Sequence, residues 1–288
     1  MLDDPPMNQL DIKNIDGTAP HGHGVVWMNV PYADASGRTL HLQVVWPPIE
    51  DWFTPSKYPT VVFVQGSGWG KQELGQWLLA LAGFARRGYV VAIIEHRSSN
   101  VAPFPAQVED VRAAVRFLRE RAEQYRVDAD RIALWGDSSG GHLALLTMVT
   151  DGVAGAPGVH DDEPLGIGAV VDFYGPSDLA LMPEDPACIE LLGGVDPRQR
   201  PEVAAPAAAA THVRPASEQT LPPLLVMHGS DDDVVPFEQS VVLGDALVAA
   251  GHRIELYKLD GAGHGAGAFF SEPVMDIVDR FLKESLDQ

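Results

Sequence analysis

Gly136-Asp137-Ser138-Ser139-Gly140 lies between the apolar run Ile132-Ala133-Leu134-Trp135 and the segment Gly141-His142-Leu143-Ala144-Leu145-Leu146. The pattern is G-x-S-x-G between a predicted strand and a predicted helix, the setting in which a serine is lifted onto a sharp, strained turn. A side chain at Gly136 or Gly140 would collide with neighbouring backbone in so tight a turn. Ser138 is the candidate nucleophile, and the helix after it brings its positive N-terminal end beneath the site. The pentapeptide alone also reads as a Gly-rich loop in which Ser138 or Ser139 caps a helix. Chemistry separates the two readings. A serine hydroxyl is a poor nucleophile at neutral pH without a base, and the base needs an orienting acid.

Both partners follow downstream in the order Ser, Asp, His. The apolar run Leu224-Leu225-Val226-Met227 leads through His228-Gly229-Ser230 into three carboxylates, Asp231, Asp232 and Asp233, all of them candidates. The run Ile254-Glu255-Leu256-Tyr257-Lys258-Leu259 leads through Asp260-Gly261-Ala262-Gly263 to His264, followed by Gly265. Small neighbours let the imidazole reach across a sheet edge. Upstream, Pro59-Thr60-Val61-Val62-Phe63-Val64 reads as a buried strand ending in Gln65-Gly66-Ser67-Gly68-Trp69. Such small residues can turn backbone N–H groups towards a carbonyl oxygen and hold the charge that develops on it.

Working outward, strand and helix patterns alternate to the end of the chain. Alternation predicts a mostly parallel sheet with helices on both faces, an α/β class. Val25–Val30 and Leu40–Trp46 read as two strands joined by a hairpin containing Ser36-Gly37. Six further strands centre on residues 62, 92, 133, 170, 226 and 256, making eight. Helices are expected over 73–87, 106–126, 138–150, 237–250 and 271–285. The segment from about 177 to 221 breaks the alternation with repeated prolines and Ala207-Ala208-Ala209-Ala210, and it is too long for a bare connector. Residues 1 to about 23 are polar and read as an extension over the surface. No composition break divides the 288 residues, so one domain is expected.

Composition bounds the function. Twenty Lys and Arg against forty Asp and Glu give a formal charge of −20. No basic stripe is present to neutralise phosphates, which argues against nucleic acid as a partner, and the charge disfavours anionic membrane surfaces. The single cysteine, Cys188, excludes an intrachain disulfide. The acidic N-terminus lacks the features of a signal peptide, and no apolar run reaches the roughly 18 residues of a membrane span, so the expected location is cytoplasmic. His21-Gly22-His23 has no companion cluster and reads as an exposed turn rather than a metal site. Neither a metal nor another cofactor is expected. His142 is expected to pack and hydrogen-bond beneath the site, His228 to stabilise its turn, and His160 through Glu163 to form a solvated loop.

These segments together resemble the α/β-hydrolases, in particular the small carboxylesterases near the hormone-sensitive-lipase, feruloyl-esterase and acetylxylan-esterase relatives. The resemblance runs from about residue 40 to the C-terminus. It includes Gly66 to Trp69, Val108 to Ala114, Val127 to Ile132, Gly136 to Leu143, Val171 to Leu179, His228 to Pro236 and Gly261 to Gly265. It implies the eight-stranded α/β-hydrolase sheet, and short helices from the 177–221 insert covering the active site as a cap. It selects Asp232 from the three aspartates. It implies a Ser138–His264–Asp232 triad with oxyanion donors from Ser67, Gly68 and Ser139. Trp69 is open to a pocket role and a core role, while Tyr174 and Phe104 are further pocket candidates. Two departures stand out: Gln65 where relatives carry His, and Ser67 where they carry Gly. Glu95-His96-Arg97 replaces the usual Asp-Tyr-Arg, with Arg97 expected to pair with a carboxylate.

The implied activity is hydrolysis of short-chain acyl or aryl esters, including acetyl or feruloyl esters of carbohydrates, on a small-molecule ester substrate. An amidase, arylformamidase or peptidase on the same triad is the alternative. A non-catalytic binding protein is a third possibility, against which stands the retention of all three triad residues. Because His264 must begin neutral to act as a base, activity is expected to fall in acid.

Overall fold

In a computed structural model, which describes residues 22–49, 53, 56–160 and 163–287, the apolar runs become eight strands. They are β1 (Val26–Ala35), β2 (Arg38–Val45), β3 (Tyr58–Val64), β4 (Val90–Ile94), β5 (Val127–Asp137), β6 (Ile167–Phe173), β7 (Leu224–Gly229) and β8 (Ile254–Leu259). The helices are α1 (Leu78–Ala85), α2 (Ala106–Glu120), α3 (Ala122–Tyr125), α4 (Ser139–Val149), α5 (Pro186–Leu191), α6 (Pro201–Ala204), α7 (Glu238–Ala249) and α8 (Glu272–Leu286). All eight strands join one sheet in the order β1-β2-β4-β3-β5-β6-β7-β8. The pairs β1–β2 and β2–β4 are antiparallel, and every pair from β4 to β8 is parallel.

The pleat sends alternate strand residues to opposite faces, and each face is covered. Val62 and Val64 of β3, with Leu134, Val170 and Val226, pack under Val111 and Val115 of α2, Leu143 of α4 and Leu243 of α7. Val61 and Phe63, with Ala133, Val171 and Leu225, pack under Leu81 and Phe84 of α1 and Val278 and Phe281 of α8. Trp135 anchors the second face, edge-on to Phe63, Phe84 and Phe173 at 5.6, 5.2 and 5.1 Å between ring centroids. Burial on both faces explains why β3 to β7 read as continuous apolar runs rather than alternating ones. Every residue of α4 is buried, which fits its lack of a polar face.

Element boundaries differ from expectation in three places. The helix expected over 73–87 is formed only over 78–85, because Gly75 and Gln76 belong to turns leading to Trp77, whose indole stacks on Phe270 at 4.4 Å. The helix expected over 106–126 divides at Arg121 (φ −104°, ψ 22°) and ends at the left-handed Arg126. The first strand runs on through Pro31 to Ala35, with irregular register around Asn29, whose φ is +53°. A proline is tolerated there because β1 is an edge strand.

The insert expected over 177–221 carries α5, α6 and 3-10 turns at 179–181, 205–207 and 209–212. The expected N-terminal extension lies outside the described residues except for Gly22 and His23, and so does His21. No helix among the described residues is long and apolar enough to cross a membrane.

Candidate active site

The carboxyl ends of β3, β5, β7 and β8 come to one edge of the sheet, where open α/β folds place their ligand sites. At the end of β5 the chain turns into α4 through Ser138, with φ +52° and ψ −125°. A β-carbon on Gly136 would lie 2.2 Å from the Gly140 carbonyl oxygen, and one on Gly140 would lie 1.9 Å from that of Val64. Both are far inside contact distance, so the turn closes only with glycine at these positions. Ser138 is held from below by its own N–H, donated to the Phe173 carbonyl at 2.8 Å.

Ser138 Oγ stands 2.9 Å from Nε2 of His264, and His264 Nδ1 stands 2.8 Å from Oδ2 of Asp232. A carboxylate only accepts, so Nδ1 carries the ring proton and the Nε2 lone pair faces Ser138. Asp232 Oδ1 in turn accepts the N–H groups of Val234 and Val235 at 3.0 and 2.8 Å. Burial opposes the Asp232 charge, but His228, His264 and the Val235 N–H outweigh it and hold the carboxyl well below its usual range. The side chains of Asp231 and Asp233 are not drawn in. Asp231 accepts the Ser230 hydroxyl at the surface, and Asp233 is exposed.

The loop after β3 lies directly against the nucleophile turn, since a β-carbon on Gly66 would meet Ser138 Cβ at 2.8 Å. The Gly66 N–H is donated to Asp137 Oδ1 at 2.7 Å, and the Ser67 N–H to Ser139 Oγ at 2.9 Å. Ser67 is therefore unable to offer its N–H to an oxyanion while that bond stands. Among the described residues, the N–H groups of Gly68 and Ser139 have no protein acceptor. The Ser139 N–H is one of the orphan donors of the first turn of α4. Gly68 and Trp69 both have positive φ, +57° and +55°. On the far side of the loop, Ala187 of α5 comes within 3.4 Å of where a Gly68 β-carbon would be, so the insert reaches the site.

Of the aromatic candidates, Trp69 takes the core role. It is 2% exposed, and its indole N–H is donated to His142 Nδ1 at 3.0 Å. Tyr174 is buried with its ring edge-on to His264 at 4.8 Å. Phe104 is half-buried, and its N–H bonds to the Leu191 carbonyl of the insert at 2.9 Å. His142 packs under the site as expected, its Nε2 meeting the Ala207 carbonyl at 2.7 Å. His228 Nε2 donates to the Val235 carbonyl at 2.8 Å and approaches Asp232 Oδ2 at 3.4 Å. Arg97 pairs with Asp110 and Glu109. Gln65 bonds Gln76 at 2.9 Å across the loop.

Sequence reasoning missed the side-chain roles of Asp137 and Ser139. Only their place beside the nucleophile was legible, because the amides they capture belong to a loop 71 and 72 residues away in the chain. No group of three or more His, Cys, Asp or Glu among the described residues is arranged to hold a metal ion.

Sheet order, connectivity and a serine on a positive-φ turn between β5 and α4 define an α/β-hydrolase. The chain belongs to the BD-FAE family, whose model matches residues 51–247. It is 31% identical over 220 residues to esterase LipC of Mycobacterium tuberculosis, covering 72% of this chain and 53% of LipC. Among solved structures it resembles a truncated carbohydrate esterase from gut microbiota, with TM-score 0.77, 29% identity and coverage of 93% of this chain and 98% of the other. It also resembles esterase Est2 of Thermogutta terrifontis, with TM-score 0.71, 26% identity and 92% of both chains covered. The chain spans about half the length of the first curated relatives it matches.

Proposed function

We propose that this protein is a serine carboxylic-ester hydrolase that works as one α/β-hydrolase unit on short-chain acyl or aryl esters, acetyl and feruloyl esters of carbohydrates among them. The observation that carries this reading is the unbroken line from Ser138 Oγ through His264 to Asp232, at 2.9 and 2.8 Å. The esterases among its relatives and the carbohydrate esterase among its structural neighbours support the substrate class.

In this scheme Ser138 Oγ attacks the ester carbonyl as its proton passes to Nε2 of His264. Asp232 keeps the imidazole in the Nδ1–H form and stabilises the imidazolium. The N–H groups of Gly68 and Ser139 receive the oxyanion of the tetrahedral intermediate. His264 then protonates the departing alcohol, leaving an acyl group on Ser138. A water molecule, deprotonated by His264, attacks that acyl carbonyl and releases the acid. Tyr174 packs on the side of the imidazole, and α5 closes over the Gly68 side of the site.

The test is hydrolysis of p-nitrophenyl esters from acetate to decanoate by the wild type and by Ser138→Ala. The expected result is activity greatest on the shortest esters and absent from the variant. Equal inertness of both proteins, each folded, would remove the esterase reading. Cleavage of the matching anilides at a comparable rate would transfer it to an amidase.

A further inference from the structure

We infer that the Ser139 side chain is a positioning residue for the oxyanion hole, locking in place the loop that carries the other donor. The inference rests on the esterase reading above and concerns one atom, Ser139 Oγ, that the proposed chemistry does not otherwise use.

Successive amides of the loop after β3 are accounted for in order. Gly66 N–H goes to Asp137 Oδ1 at 2.7 Å, and Ser67 N–H goes to Ser139 Oγ at 2.9 Å. The next, Gly68 N–H, has no acceptor among the described residues. The two side chains flanking Ser138 thus clamp two consecutive amides and leave the third presented. Ser139 serves the site twice. Its backbone N–H is an orphan donor at the start of α4, and its hydroxyl oxygen fixes the loop bearing the second donor.

The lock matters because Gly68 and Trp69 both hold left-handed backbone. A glycine in that conformation has several alternatives of similar energy, so something outside the loop must select one. The departure at Ser67 adds a second fastening. Ser67 Oγ donates to the Gly70 carbonyl at 2.9 Å, and the Gly70 N–H returns to the Ser67 carbonyl at 3.0 Å. Ser139 is 2% exposed, so water does not readily replace its oxygen. Without that oxygen the Ser67 N–H becomes an unpaired donor free to turn towards the substrate, and Gly68 loses its register.

An oxyanion donor acts in the transition state rather than in substrate binding. Ser139→Ala is therefore expected to lower kcat on p-nitrophenyl acetate by about 10- to 100-fold with KM within about twofold. It should weaken inhibition by trifluoroacetophenone, whose adduct with Ser138 carries the same oxyanion, by a similar factor. Ser139→Cys, close in volume but a poor acceptor, should show the same ordering and guards against a packing defect in the alanine variant. Rates are normalised to sites titrated with diethyl p-nitrophenyl phosphate, which releases one p-nitrophenolate per reacted Ser138. If kcat and ketone inhibition stay within twofold of the wild type in both variants, the lock is overturned while the esterase reading stands. The same holds if kcat falls but ketone inhibition is unchanged. If the wild type neither hydrolyses esters nor titrates, the esterase reading itself has failed and this inference goes with it.

Discussion

Ser138 Oγ and His264 Nε2 are 2.9 Å apart although 126 residues separate them in the chain. The contact is made by topology. β5 and β8 run parallel with β6 and β7 between them, and the loop beyond β8 folds back across that interval. A β-carbon on Gly229, at the end of β7, would lie 2.1 Å from the Ala262 carbonyl oxygen, which shows how closely the histidine loop crosses the strand carrying the acid turn. The geometry of the base therefore depends on close backbone packing remote from the serine.

The three consecutive aspartates give the first prediction. Only Asp232 has its carboxylate fully buried and bonded to His264, with Val234 and Val235 saturating its second oxygen. Asp232→Asn should leave the fold intact and lower kcat by roughly 10³- to 10⁴-fold, because the imidazole loses its tautomer and its counter-charge. Asp231→Asn and Asp233→Asn should remain within about twofold. Ester hydrolysis by the three variants checks this, and equal damage from Asp231→Asn would reassign the acid.

Glycines in the nucleophile turn and in α1 should respond oppositely to alanine. At Gly140 the new β-carbon meets the Val64 carbonyl at 1.9 Å, and neither atom can move without breaking β3 or α4. Gly140→Ala is expected to cost at least about 3 kcal/mol. Gly83 lies in the exposed interior of α1 with open space at its β-carbon position. Gly83→Ala should stabilise by roughly 0.5–1 kcal/mol. Urea unfolding of the two variants measures both, and a stabilising Gly140→Ala would contradict the tight-turn geometry.

Arg97 supplies the third. It lies just beyond β4 and reaches α2, where Nε bonds Asp110 at 2.9 and 3.0 Å while one guanidinium nitrogen bonds Glu109 at 2.7 Å and the Ala106 carbonyl at 2.9 Å. Its backbone N–H also goes to Asp110 at 2.7 Å. Arg97→Met strands a buried carboxylate and should cost about 3–5 kcal/mol. Combining it with Asp110→Asn, which removes the stranded charge but keeps an acceptor for the Arg97 N–H, should recover part of that loss. Failure of the second change to raise the melting temperature above that of Arg97→Met would mean that the stranded charge is not what destabilises the single variant.

What could be read from the chain follows from what each feature depends on. The elbow, the strand runs and the Ser, Asp, His order are local patterns, each set by a few adjacent residues whose chemistry admits little else. Gly136 and Gly140 announce a close approach, and β-branched runs bounded by glycine announce buried strands. Features that depend on the approach of two distant segments were not legible. The division of the helix at Arg121, the inward turn of Trp69 towards His142, and the capture of the Ser67 N–H by Ser139 are of this kind. The choice among Asp231, Asp232 and Asp233 is intermediate. All three have the same chemistry, so the residues alone leave them open; the resemblance selects Asp232 by its position, and the turn that buries it gives the physical reason.

The last prediction concerns two buried groups whose contributions to stability run in opposite directions with pH. His142 is fully buried and wired as a neutral ring, accepting the Trp69 indole N–H at Nδ1 and donating from Nε2 to the Ala207 carbonyl. Burial pushes it down from 6.5 to about 4, against the pull of the Ala207 carbonyl. Between those values the unfolded chain binds the proton and the native protein does not. The stability it permits is complete above about 6.5 and is lost as pH falls through 4. Asp172 is the converse. Its Oδ1 accepts the Gly175 N–H at 3.0 Å and its Oδ2 has no partner among the described residues. Burial raises it from 3.8 to about 7, against the attraction of His228. Here the native protein binds the proton where the unfolded chain does not, so the stability it adds is complete below 3.8 and is lost as pH rises through 7. Each site changes stability by up to about 1.4 kcal/mol per pH unit within its window. Urea unfolding at several pH values between 4.5 and 7.5 should therefore show wild type losing ground to His142→Gln as pH falls, and losing ground to Asp172→Asn as pH rises. Parallel stability curves for wild type and either variant would mean that the buried group does not titrate in this range.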